Sequence, residues 1–346
     1  MPDETTNWVS LLAGNERRGG TSAARTTAPK ELIWKVALPE SIRSSPVLHG
    51  GTVYVTCRDG RLYALDGRIG RERWTFQAPA PSCSTPSVSG SLVLFGCHDG
   101  AVYAVDGASG RLQWKAMSEG AIWTSPTVYE DRVFFGSANG VFMAADRASG
   151  KPRWTRRFDA QIHSTAFATD RLVYFGSSDG TIRALDASTG ADAWMHSAGD
   201  GVVSAPALAG GLVLVGSEDH SFYALDAASG QVRWRVETGM GIASSPAASD
   251  DRVFFGGKDG HVYALAVADG REIWKSTSIR QITAPVLAGV SSVCVQSYYG
   301  TTQAYGPKTG EELWTARLGG SLQCTPILTD EAVYLATYPG VIYALR

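Results

Sequence analysis

Two histidines, two arginines, a cysteine and a tryptophan recur at related positions in this chain and carry most of its chemical potential. His163 and His98 titrate near neutral pH, so each suits a general acid or base, and each equally suits an ordinary hydrogen-bonding loop histidine. Arg43 and Arg58 grip carboxylate or phosphate in bidentate fashion, which points to an anionic group in any ligand. Cys83 becomes a nucleophile only if an imidazole lowers its pKa; otherwise a small thiol fills space. Trp123 offers a face for stacking a flat ligand. Gln323, Glu218, Lys258, Tyr298 and Tyr338 complete the candidates for substrate binding, with Tyr299 beside them. Metal chemistry has little support. No two histidines have ligand spacing, and no acidic loop resembles a calcium site.

These residues form a set because the chain repeats. Eight of its ten tryptophans, Trp34, Trp74, Trp114, Trp154, Trp194, Trp234, Trp274 and Trp314, stand 40 residues apart, and Trp123 is off that pitch. One unit is "SSPVLHGGTVYVTCRDGRLYALDGRIGRERW", Ser44 to Trp74, and the next is "STPSVSGSLVLFGCHDGAVYAVDGASGRLQW", Ser84 to Trp114. Each unit reads as four short runs, here called A to D, rich in β-branched and aromatic residues and separated by Gly/Asp/Asn turns. Four strands on a pitch near 40 residues predict an all-β, eight-bladed β-propeller of antiparallel blades. The last unit stops after its third strand at Arg346. The segment "ELIWKVAL", Glu31 to Leu38, is expected to supply the missing outer strand and close the ring.

The chain aligned with itself separates scaffold from site. The strand C alanine (Ala64, Ala104, Ala144 and so on to Ala344) and the C–D turn glycine (Gly70 to Gly310) never vary. Glycine supplies a positive φ, and alanine leaves room for an indole, so both read as scaffold. Two columns differ at nearly every blade. One precedes strand A: Arg43, Cys83, Trp123, His163, Val203, Ala243, Thr283 and Gln323, with Thr283 uncertain because the proline of blade seven comes one residue early. The other lies at the B–C turn: Arg58, His98, Ala138, Ser178, Glu218, Lys258, Tyr298 and Tyr338. In a four-stranded meander the D–A and B–C connections emerge on one face, so the variable residues are expected to share it. Strand A is innermost, which places the first column around the channel mouth.

The segments "ALDASTGADAW", Ala184 to Trp194, and "ALDAASGQVRW", Ala224 to Trp234, resemble the tryptophan-docking motif of quinoprotein alcohol dehydrogenases and of BamB-like repeat propellers. The resemblance covers residues 31 to 346 as one propeller domain. It implies that residues 1 to 30 form a leader whose Trp8 and Leu11 pack on the ring. Quinone-binding members use a calcium site, a catalytic aspartate and adjacent cysteines; "CC" does not occur here, so no cofactor is expected.

Composition narrows the partners. A formal net charge of −2 with mixed signs gives no basic stripe for nucleic acid, and no apolar run approaches a membrane span of about 18 residues. The N-terminal stretch lacks a basic region followed by an apolar one, and the five cysteines read as reduced thiols. A cytoplasmic monomer is therefore expected. Two function classes stay open. One is a small-molecule pocket on the variable face, with cofactor-free acid/base chemistry (a cyclisation or elimination) run by His163 and His98. The other is a protein- or peptide-binding scaffold of the BamB-like type.

Overall fold

In the computed structural model the described residues are 9–10, 28–29, 31–249, 251–277, 280–289, 291–318, 320–321, 324–329 and 331–346. They form eight antiparallel sheets, seven running A-B-C-D from one edge to the other and the sixth carrying one more short strand beside A. Blade one is Val47–His49, Thr52–Thr56, Arg61–Asp66 and Glu72–Gln77, and the next six blades repeat it. Blade eight takes strands A to C from Ile327–Leu328, Val333–Thr337 and Val341–Leu345. Its outer strand is Leu32–Ala37, with Trp34 opposite Ala344 and the Glu31 and Arg346 backbones exchanging hydrogen bonds at 2.8 and 2.9 Å. The N-terminal strand thus closes the ring.

The repeated residues show why the pitch is kept. Register pairs each strand C alanine with its blade's docking tryptophan, as Ala64 with Trp74 and Ala144 with Trp154. The indole N–H then crosses to the next blade. Trp74 donates to the Gly107 carbonyl at 3.0 Å, Trp114 to Arg147 at 2.9 Å, and Trp34 to Gly67 at 2.9 Å across the closure. The C–D turn glycine has a second reason beyond its backbone angle. Gly150 has φ +69°, and a Cβ there would sit 2.5 Å from the Trp114 ring. The core is correspondingly a series of layers between blades: Tyr54 and Leu62 of blade one pack on Val93, Phe95 and Tyr103 of blade two.

Strand A lines the axis, where successive blades are tied by hydroxyls. Ser45 N–H donates to Thr85 Oγ1 at 3.1 Å, Thr85 N–H to Ser125 Oγ at 3.2 Å, and Ser125 N–H to Thr165 Oγ1 at 3.1 Å. Thr325 N–H returns to Ser45 Oγ at 2.8 Å, joining blade eight to blade one. Val9–Ser10 pair with Ala247–Ala248 on the inner edge of blade six. Trp8 and Leu11, expected on the ring, lie outside the described residues. All five cysteines are free thiols, and Cys57 and Cys97 are buried with Sγ donating to the Glu40 and Ala80 carbonyls at 3.2 Å.

Candidate functional site

The D–A connections and B–C turns meet on one face through a bond repeated in every blade. Arg58 N–H donates to Ser41 O, His98 to Pro81 O, Ala138 to Ala121 O, and so on to Tyr338 and Ser321 O. In blade seven the same bond joins Tyr298 to Gln281, and Ile282 N–H meets Gly257 O as Ile242 meets Ser217. The backbone is in step there. Only the proline has moved, to Pro285, and Thr283 is a true member of its column.

Three consecutive residues fix which way the inner column points. The first, Ile42, Ile122, Ile162, Val202, Ile242 or Ile282, is fully buried. Ile122 lies over Gly96 and Ile162 over Gly136, where any Cβ would overlap the inserted side chain. The third residue is buried too, and in blades one to six it is a hydroxyl: Ser44 Oγ donates to Thr56 O at 2.9 Å and Thr124 Oγ1 to Gly136 O at 3.0 Å. In extended chain, neighbours of two inward residues face outward. The middle residue therefore turns to the mouth, and Trp123 is 39% exposed, against 8% for the docking residue Trp114.

The connection also passes beneath the B–C turn of the blade it leaves. Ser82 N–H bonds Cys57 O, and Ile122 N–H bonds Cys97 O at 3.1 Å. Each inner residue is thereby set beside the outer residue of the preceding blade: Cys83 by Arg58, Trp123 by His98, Arg43 by Tyr338. The side chains follow. Arg43 Cζ lies 5.3 Å from the Tyr338 ring centre, the His98 and Trp123 ring centres are 4.1 Å apart, and Trp123 meets His163 edge to face at 6.1 Å. Ala138, the outer residue between Trp123 and His163, is small enough to let them touch. His163 Nε2 is 2.8 Å from Gln161 Oε1, a partner the sequence reading did not pick out. Gln161 sits two residues earlier on the same extended connection, and that spacing was the available signal.

The charges acting on His98 and Cys83 are those of Arg43 and Arg58. Arg43 and Arg58 are exposed and form no ion pair with any described carboxylate. Burial first, then the fields of Arg58 and Arg43, holds His98 below its ordinary pKa; burial alone does so for His163. Burial pushes the Cys83 thiol up, with the two arginines pulling the other way, so Cys83 remains a thiol near neutral pH. His98 Nε2 is shielded from solvent and has no hydrogen-bond partner among the described residues.

The remaining candidates lie elsewhere on the face. Lys258 Nζ bonds both Glu218 oxygens, at 2.6 and 2.7 Å, so these two bind each other across blades five and six. Tyr298 meets Tyr299 edge to face at 5.4 Å, under Arg280, on blade seven. Gln323 lies outside the described residues. Among the described residues no group of three or more His, Cys, Asp or Glu is placed to hold a metal ion.

Comparison with known proteins matches the chain to the family model described as "Outer membrane protein assembly factor BamB" over residues 11–196, 178–291 and 258–346. Among solved structures it is similar to BamB from Moraxella catarrhalis, with a TM-score of 0.79, 18% identity, and coverage of 92% of this chain and 100% of that one. A europium-containing methanol dehydrogenase gives 0.77 at 14% identity, over 94% and 89% of the two chains. Likeness at these identities establishes the fold alone. The serine/threonine-protein kinase AfsK of Streptomyces griseus is 39% identical over 71 residues, which is 19% of this chain and 9% of the kinase.

Proposed function

The chain belongs to the family of the outer membrane protein assembly factor BamB, and we propose that it is a recognition propeller that binds a small molecule with a flat face beside Trp123. The observation that carries this reading is the exposure of that indole, braced by two histidines, on the face where the scaffold asks for no aromatic. Blade geometry is satisfied by the docking tryptophans alone, so Trp123 has no structural duty of their kind. Proton-transfer chemistry at the site would use His98 and His163 as acceptors, since both are held neutral near pH 7. The binding role does not require turnover.

Soaking crystals with a set of planar fragments tests the reading. It predicts density against Trp123, between Arg58 and His163; fragments that collect only elsewhere contradict it. A second reading, recognition of a protein or peptide, is favoured by Tyr298, Tyr299 and Met240, exposed by 43, 64 and 43% on the same face. The tyrosines lie on blade seven and Met240 on the connection into blade six, away from Trp123. The two readings therefore predict separate footprints.

A further inference from the structure

The sector around His98 holds two cationic side chains and a hidden imidazole nitrogen, and the charges that act on that imidazole are those of Arg58 and Arg43. Asp59 and Asp99, which directly follow Arg58 and His98, are engaged, and Glu40 precedes Arg43 on the connection into blade one: Asp59 accepts from the Tyr63 hydroxyl at 2.6 Å and the Arg61 amide at 2.9 Å. Asp99 accepts from the Tyr103 hydroxyl at 2.5 Å and the Ala101 amide at 3.0 Å. Facing His98 are Arg58 from the B–C turn of blade one and Arg43 and Cys83 from the connections into blades one and two. Trp123 lies on the ring, with His163 beyond the indole. A buried polar atom without a partner is rare in folded proteins and calls for an explanation. The arginines are long and exposed, so they can swing aside while the packed imidazole and indole stay.

Resting on the small-molecule reading above, we propose that Arg58, Arg43 and His98 form a proton-coupled receptor for an oxyanion, a carboxylate or phosphate carried on a flat ring that lies against Trp123. Burial and the two guanidinium fields favour the neutral form of His98. An entering oxyanion cancels that field and gives His98 an acceptor. The imidazole takes one proton from solvent and donates it in a charge-assisted hydrogen bond. No covalent bond changes, and the only species exchanged is that proton. His98 thus reads the charge of the ligand, whereas Trp123 reads its shape.

Titration calorimetry of the full chain with benzoate, phenyl phosphate and neutral benzamide tests this, repeated in buffers of different ionisation enthalpy near pH 7. The expected result is at least about tenfold tighter binding of one oxyanion than of benzamide. About one proton should be taken up, and affinity should fall by up to about tenfold per pH unit as pH rises. His98→Gln should abolish the uptake and weaken the anion toward the affinity of benzamide, since a neutral amide donor replaces the imidazolium; Arg58→Ala should remove the preference for the anion. Equal affinity for anion and amide, or anion binding without proton uptake, overturns the inference and leaves the flat-ligand reading standing. If none of the three probes binds, both fail. Phenyl phosphate against benzoate decides which oxyanion the site takes.

Discussion

His98 and His163 carry the same side chain in two kinds of shelter, and both are held toward the neutral form: His98 by burial and two neighbouring cations, His163 by burial beside Gln161. A histidine whose folded pKa lies below its unfolded value of about 6.5 adds stability that is fully present above that value. The contribution is lost as pH falls from about 6.5 through the lowered folded values, because the unfolded chain then binds more protons. Urea unfolding from pH 7.5 to 5 should show this decline, and His163→Gln should flatten part of it. An unchanged slope in the variant would remove His163 from the account. The types of these residues and their shared face were legible in the sequence, because columns spaced by 40 residues stand out when they vary. Their pairings were not. That Trp123 lies by His98 depends on the connection passing under the blade it leaves, a backbone crossing without its own sequence mark. Lys258 and Glu218 read as ligand contacts, and the ion pair that joins them across two blades has no sequence mark either.

At the scale of the element, the turn between strands C and D and the connection between blades do opposite jobs with similar economy of side chains. The turn glycine meets two demands together, a positive φ and the face of an indole from the preceding blade. Gly150→Ala should therefore cost about 3 kcal/mol, from backbone strain and from displacement of Trp114, as read by denaturant unfolding. A loss below about 0.5 kcal/mol would mean that the indole does not press on the turn. The φ requirement could be read from the sequence; the indole contact could not, since it joins residues in different blades. The connection alternates buried, open, buried, and so frees one position per blade for chemistry without disturbing the strands on either side. Blade seven illustrates how far sequence spacing carries: its early proline suggested a slip, but the backbone hydrogen bonds hold the common register.

For the whole molecule, blade number and ring closure followed from the pitch, because a repeated unit that cannot bury its own faces must stack on its neighbours. The closing strand was legible because blade eight lacked its fourth. The hydroxyl belt around the axis was less so, although serine or threonine at 45, 85, 125, 165, 245 and 325 keeps the same pitch. One face of the finished ring is uniform; on the other, seven candidate residues, from Tyr338 through Arg43 to His163, stand in a continuous sector. Native mass spectrometry of the protein incubated with cell-extract metabolites, wild type beside Trp123→Ala, tests most directly whether that sector is the recognition site. The account predicts a bound small molecule in the wild type that is absent from the variant, with the two proteins melting within about 2 °C of each other. Equal retention of the same molecule by both would contradict it.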